Sequence, residues 1–291
     1  METEVGTFNV NQHIAIIGLG LIGGSYAKGL RALGVKQITA IDPDRDALCT
    51  ALKDDVIDSG HEGPGNFLNA AGLVICCMDA DKMLLALRDM APFLRTGTII
   101  TDVAGIKGET MAAISPLLPP GIDFIPGHPM AGREGRGYAM ARADIFDGAN
   151  YILVPTKENK KEHIETVTAM AYALGCSHVV TVTPKEHDAL IAYTSCLPHV
   201  LAAALVNNPS MTDVVKYFVA GSFRDATRVA DINAPLWTKL FLSNKENVLD
   251  EIERFIGVLQ DLSAIVTRED GPALTAFLEK AAVRRRDLMQ K

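Results

Sequence analysis

The sequence predicts an α/β domain built on a mostly parallel, doubly wound sheet, followed by an all-helical domain. Three observations carry that expectation. Short apolar runs alternate with helical stretches through the first half of the chain, a glycine-rich turn joins the first run to the first helix, and after Pro184 the strand-like runs stop. Continuous apolar strands between helices are what a parallel sheet covered on both faces requires.

In order, residues 13–18 (HIAIIG) read as a buried strand, 22–33 as a helix and 37–42 (QITAID) as a second strand. Residues 72–78 and 98–103 are further strands, separated by a helix near 81–91. Residues 122–126 and 150–155 continue the pattern, with a helix near 158–174 and a strand near 177–182. Residues 185–207 form a long Ala- and Leu-rich run without alternation, and 213–220, 237–259 and 271–289 also read as helices. Residues 221–235, with their arginines and aspartates, read as a loop or broken helix. The expected division is residues 1–183 and 184–291. The second part is apolar enough that its helices are expected to be hydrophobic on more than one face, as at a subunit interface, so a homodimer through the helical domain is expected.

The chain has 291 residues, 48% hydrophobic and 22% charged, which is ordinary globular usage. Its net charge of -7 excludes a broad nucleic-acid surface but not a local anion site, because a few arginines in a pocket outweigh a distant net charge. No run of the roughly 20 apolar residues needed to span a bilayer is expected, and the polar, acidic beginning METEVGTFNVNQ is not a secretory signal. No membrane partner and a cytoplasmic location are therefore expected. The five cysteines, Cys49, Cys76, Cys77, Cys176 and Cys196, show no CxxC spacing and read as reduced thiols. No Cys/His cluster has ligand spacing, so no metal is expected.

Gly18-Leu19-Gly20-Leu21-Ile22-Gly23 is a GxGxxG that follows a strand and opens a helix, the two contexts the dinucleotide-binding (Rossmann) reading needs. Gly18 permits the tight turn, Gly20 leaves room for pyrophosphate, and Gly23 lets helix and strand pack closely. The helix N-terminus offers free N–H groups to phosphates. Asp42, closing the second strand, suits the ribose hydroxyls and repels a 2′-phosphate, which favours NAD over NADP; Arg45 is the one nearby residue suited to a phosphate. The bland reading is that the glycines serve packing and Asp42 caps a turn.

Ligands in such sheets sit at the carboxyl ends of the strands. Two loops are expected there, Asp102 to Lys107 (DVAGIK) and Gly127 to Glu134 (GHPMAGRE). Asp102 is counted with the cofactor-binding residues. Oxidising an alcohol carbon requires a group that accepts the hydroxyl proton, and histidine suits that task; His128, held between Gly127 and Pro129, is the candidate. His187 reads as a helix cap, His199 and Trp237 as core. Arg228 is a candidate carboxylate clamp because its planar fork matches a carboxylate, with a salt bridge to Asp225 or Asp231 as the bland alternative.

GLGLIGGS, DVAGIKG, GHPMAGRE, EHDALIAYTSCLPH and GSFRDATRVADINAPLW, in that order, resemble the motifs of the prephenate dehydrogenase family, which includes arogenate and cyclohexadienyl dehydrogenases. The resemblance runs from about residue 13 to about residue 247. It implies NAD-dependent oxidation of prephenate at its ring C4 with loss of the ring carboxylate as carbon dioxide, or the same chemistry on arogenate. It implies that His128 takes the ring hydroxyl proton and that Arg228 binds a substrate carboxylate. It also implies that His199 and Glu134 line the substrate pocket, supported by Asp188 and Trp237. Two positions depart from the family pattern: Gly105 stands where a serine often contacts the substrate hydroxyl, and Cys196 where many members have histidine. A water or the nearby Lys107 is expected to take the place of that hydroxyl. No appended sensing domain is expected, so any feedback would act at the active site. The alternatives are a β-hydroxyacid or imine reductase with a similar helical add-on, and a catalytically silent NAD-binding protein.

Overall fold

The computed structural model describes residues 6–132 and 135–289. Two compact units divide at Asp188 and Ala189.

The first unit begins with β1 (Ile14–Ile17), α1 (Leu21–Ala32), β2 (Ile38–Ile41), α2 (Arg45–Lys53) and β3 (Ser59–His61). It continues through β4 (Leu73–Cys76), α3 (Ala80–Met90), β5 (Ile99–Asp102), α4 (Gly108–Ile114) and β6 (Asp123–Ile125). These six strands form one parallel sheet in the order β3-β2-β1-β4-β5-β6. Strands β1, β2, β4 and β5 are buried at every position, which explains their mostly Ile, Val, Leu and Ala content, broken only by Thr39, Cys76, Thr101 and Asp102: both faces are covered. Alternate residues of β1 feed opposite layers. Ile14 and Ile16 pack with Tyr26, Ala27 and Leu30 of α1, while Ala15 and Ile17 pack with Met83 and Leu87 of α3. The chain order reverses between β1 and β4, so their carboxyl ends flank the switch point where ligands of open α/β sheets bind.

β7 (Gly127–Pro129), β8 (Asn150–Leu153), α5 (Lys161–Ala173) and β9 (His178–Thr181) complete the unit. Here the structure corrects the sequence reading. The run at 150–155 does not extend the parallel sheet. β8 sits in a separate three-stranded sheet, antiparallel to β7 and parallel to β9. The segment 127–129, expected as loop, is the strand that makes this possible, with His128 opposite Ile152. Buried Pro126 lies between the two sheets, its carbonyl accepting from Val154 N at 2.9 Å.

In the second unit every described element is helical. α6 (Pro184–Ile191) crosses the division and leads into a π-helical turn at Ala192–Cys196 and α7 (Leu197–Val206). The long helix expected over 185–207 is thus interrupted. Pro198 has no N–H to continue the ladder, and the wider turn before it absorbs the missing bond. The run Pro184–Val206 is also long and apolar enough to cross a bilayer, contrary to expectation. It nonetheless opens with Lys185, Glu186, His187 and Asp188. Residues 213–220 hold only a 3-10 turn at Val215–Tyr217. Residues 221–235 are more ordered than expected: α8 (Gly221–Thr227) runs into a 3-10 turn at Arg228–Ala230. α9 (Ala234–Ser243) starts at Asn233, whose side chain accepts from Leu236 N. It ends at Asn244, where α10 (Lys245–Thr267) begins; α11 (Gly271–Met289) follows. Large apolar side chains remain uncovered within the single chain, among them Tyr217, Phe218, Leu242, Leu249, Ile256 and Leu278.

Candidate active site

The glycine turn leaves β1 at Gly18, whose φ of 92° lies in the left-handed region that side chains resist. The three glycines have three different surroundings. A Cβ on Gly18 would lie 2.6 Å from the Cys77 carbonyl oxygen, and one on Gly23 only 1.8 Å from the carbonyl oxygen of Gly18. A Cβ on Gly20 would meet nothing within 4 Å. Gly18 and Gly23 are therefore demanded by the protein's own backbone, whereas Gly20 borders open space at the start of α1. No side chain caps that helix end, so its N–H groups are available to an anion. Leu19 and Gly23 are buried, and Leu21 and Ile22 are half-buried. This cradle fits a dinucleotide's pyrophosphate.

Asp42 follows β2 and is half-buried. One carboxylate oxygen accepts from Leu19 N at 2.5 Å and the other from Asp44 N at 2.8 Å. It therefore braces the glycine turn itself, and each oxygen retains a lone pair for a ribose hydroxyl. Arg45 is paired with Glu62 at 2.6 Å.

Farther along the same carboxyl edge, Asp102 ends β5 beside Cys76 of β4. Asp102 and Lys107 are each 1% exposed at the side chain. Lys107 Nζ lies 2.8 and 2.7 Å from the two oxygens of Asp102, and 2.6 Å from the carbonyl of Gly127. Ala104 N and Gly127 N also donate to Asp102. Burial pulls the Lys107 pKa down, against the opposing attraction of Asp102 and Asp188. This arrangement corrects two expectations. Asp102 has its carboxylate turned inward on a buried cation, and Lys107 is locked beneath the strand of His128 rather than replacing a hydroxyl at Gly105. Gly105 itself lies half-buried in the intervening loop.

His128, half-buried on β7, continues into a chain of polar groups. Its Nδ1 lies 2.9 Å from His187 Nε2, and His187 Nδ1 lies 2.7 Å from Asp188 Oδ1. Asp188 in turn accepts from Lys107 N at 2.9 Å and Gly108 N at 2.7 Å, at the start of α4. Burial raises the Asp188 pKa, but hydrogen bonds from His187, Lys107 and Gly108 outweigh it and hold the group low, as the carboxylate. Burial, then Lys107, then His187 push His128 down to about 3. His187 is 2% exposed, and the cap expected of it is instead an internal link. Its N–H does close the first turn of α6, donating to the Thr183 carbonyl, and that local fit made the sequence reading a bland one.

In the second unit, His199 stacks on Trp237 with ring centroids 3.5 Å apart. Its Nδ1 lies 2.8 Å from the Ser195 carbonyl oxygen, which can only accept, so Nδ1 carries a proton and Nε2 is turned away from that bond. Both residues are half-buried, not core. Cys196 is buried in the π-helical turn. Arg228 opens the 3-10 turn after α8 and is exposed. Glu134 lies outside the described residues.

A parallel sheet with this glycine cradle, and an acidic side chain closing β2, defines a dinucleotide-dependent oxidoreductase domain. Comparison with known proteins sharpens the class. The family models of the prephenate dehydrogenase nucleotide-binding and dimerization domains match residues 26–181 and 183–280. Prephenate dehydrogenase of Bacillus subtilis is 32% identical over 274 residues, 92% of this chain and 74% of that protein. Cyclohexadienyl dehydrogenase of Zymomonas mobilis is 32% identical over 284 residues, 94% of each. The crystal structure of prephenate dehydrogenase from A. aeolicus, in complex with hydroxyphenyl propionate and NAD+, superposes with a TM-score of 0.86. It is 29% identical and covers 95% of this chain and 98% of that one. The chain belongs to the prephenate dehydrogenase family. The glycine turn itself precedes the segment that the nucleotide-binding family model matches.

Proposed function

We propose that the protein is a prephenate dehydrogenase that uses NAD to convert prephenate to 4-hydroxyphenylpyruvate and carbon dioxide. NAD, when bound, supplies the hydride acceptor. Gly20 and the open end of α1 receive its pyrophosphate, and Asp42 receives a ribose hydroxyl.

His128 accepts the proton of the ring hydroxyl as hydride leaves the same carbon. The resulting ring ketone sits opposite the carbon bearing the carboxylate. When that carboxylate leaves as carbon dioxide, its bonding pair restores aromaticity and the oxygen regains a proton. Arg228 holds a substrate carboxylate through its guanidinium fork, and His199, stacked on Trp237, offers its Nε2 to a polar group of the substrate. The resemblance also counts Glu134 and the positions of Gly105 and Cys196 among the substrate contacts. The observation that carries the reading is the placement of His128 on the carboxyl edge that also holds the glycine cradle. Gly18 adjoins Cys77 at the end of β4, β4 pairs with β5, and Asp102 at the end of β5 holds Gly127.

Arogenate, the amino counterpart of prephenate, is the second substrate reading, favoured by the similarity to a cyclohexadienyl dehydrogenase. NADH absorbance recorded with NAD and prephenate, then arogenate, decides between them; no NADH with either removes the assignment. His128→Asn is expected to lower kcat by about 10²–10⁴-fold with NAD binding intact, and full turnover would remove His128 from the chemistry.

The uncovered apolar side chains of α9, α10 and α11, among them Leu242, Leu249 and Leu278, support a homodimer through the helical unit. Sedimentation equilibrium showing a monomer at micromolar concentration would reject it. The five free thiols support a reducing, cytoplasmic setting.

A further inference from the structure

We propose that His187 takes over the positive charge that His128 acquires during the reaction, so that this charge comes to rest on His187, paired with the Asp188 carboxylate. The inference rests on His128 being the proton acceptor.

The direction of the hydrogen bonds follows from the carboxylate end. Asp188 is a carboxylate and can only accept, so His187 Nδ1, 2.7 Å away, carries the proton. In the neutral ring His187 Nε2 is then a bare acceptor. It lies 2.9 Å from His128 Nδ1, which must therefore donate. His128 Nε2 is left with a lone pair, the form a base requires. The resting chain thus presents His128 in the tautomer that accepts a proton.

The same chain supplies an exit for the charge. When the substrate O–H bond breaks, its proton forms an N–H bond at His128 Nε2. The His128 Nδ1–H bond then breaks and its proton forms an N–H bond at His187 Nε2. His128 ends neutral, and His187 ends as an imidazolium facing the Asp188 carboxylate. No further reactant is needed, and Asp188 keeps its charge. The surroundings favour this end state. His128 lies near the buried ammonium of Lys107, which repels a cation, whereas His187 has a carboxylate against its far nitrogen. Backbone N–H groups of Lys107 and Gly108 hold that carboxylate in place. His187, 2% exposed, acts through His128 and not on substrate.

Two substitutions separate setting the tautomer from taking the charge. His187→Leu removes both functions. His187→Gln offers an amide oxygen to His128 Nδ1, preserving the tautomer, but an amide cannot take the proton. Nitrogen-15 NMR of histidine-labelled free enzyme reads the tautomer, with His128→Asn used to assign the signal. The expected wild-type result is His128 protonated at Nδ1, retained in His187→Gln. Both His187 variants should lose about 10²-fold in kcat with KM little changed. NAD affinity measured by calorimetry checks that each is folded; if His187→Leu fails to fold, His187→Gln carries the test alone. Wild-type kcat in folded His187→Gln overturns the charge transfer, and Nε2 protonation of His128 in the wild type overturns the whole chain. Full turnover in His128→Asn overturns instead the reading on which the inference stands.

Discussion

Replacing Gly20 and Gly23 by alanine, one at a time, separates a residue the fold needs from one the cofactor needs. The Cβ of Gly23→Ala would lie 1.8 Å from a carbonyl oxygen of the same turn. Ordinary van der Waals contact is 3.4 Å or more, so α1 must move by more than an ångström from the end of β1, in a layer holding Tyr26 and Leu30. Overpacking of that kind costs about 1–3 kcal/mol, and the displaced helix end should also bind NAD poorly. The Cβ of Gly20→Ala meets nothing within 4 Å, and its backbone, φ -75° and ψ -156°, is open to any residue. Stability should therefore change by less than about 1 kcal/mol, since the entropy lost by the unfolded chain offsets a slightly poorer cap. The methyl would occupy the space where a pyrophosphate approaches the backbone. A clash there of about 1–3 kcal/mol weakens NAD binding by roughly 5- to 150-fold. Urea unfolding and calorimetric titration with NAD read the two quantities separately. Wild-type NAD affinity in Gly20→Ala would refute the assignment of that open space to the cofactor.

The buried Asp102–Lys107 pair gives a second expectation. Lys107→Met strands a carboxylate and should cost about 3–5 kcal/mol in urea unfolding, while adding Asp102→Asn should recover much of that loss; a loss below 1 kcal/mol in the single variant contradicts the pairing. Acid stability gives a third. His128 stays neutral down to about pH 3 in the folded protein but takes up a proton near pH 6.5 when unfolded. Between those values the unfolded chain binds more protons. Stability attributable to this residue is therefore complete above pH 6.5 and is lost as the pH falls toward 3, by up to about 1.4 kcal/mol per pH unit. His128→Gln should flatten that slope in chemical denaturation measured across the range, and an unchanged slope would show that His128 is not held neutral.

What the sequence made legible is what depends on near neighbours in the chain. The strand, glycine turn and helix of residues 14–32 are set by apolar runs, by the left-handed φ of Gly18 and by the close approach of Gly23 to the Gly18 carbonyl, all within the segment, although Gly18 also meets the Cys77 carbonyl from β4. The same locality explains the interruptions that periodicity missed. Pro198 and Asn244 each act on the turn beside them, but their neighbours keep the helical composition on both sides. The second sheet was less legible, because three-residue β7 carries too few side chains to show alternation and is defined by its pairing with Tyr151, Ile152 and Leu153. The Asp188–His187–His128 chain was legible only in part. Asp188 and His128 were singled out, but His187 has a sufficient local role as a helix-starting residue, and its partner is 59 positions away. Asp102 misled for the converse reason: its place at a strand's carboxyl end suggests a ligand, whereas its partner Lys107, five residues on, turns it inward.

Those long-range contacts bear on the departure at Gly105. The family resemblance puts a hydroxyl at that position, beside the histidine proposed as base. Here the imidazole is already fixed from behind. Its backbone is paired to β8, the carbonyl before it is clamped by Lys107 Nζ, and its Nδ1 is held by His187. Two backbone restraints and one ring hydrogen bond determine both the orientation of the ring and which nitrogen faces outward. Orienting His128 therefore does not require a hydroxyl at position 105. If the proposed function holds, preference between prephenate and arogenate is expected to follow the other proposed substrate contacts, Arg228, His199 and Cys196, and the ratio of kcat/KM for the two substrates in a variant of each tests that.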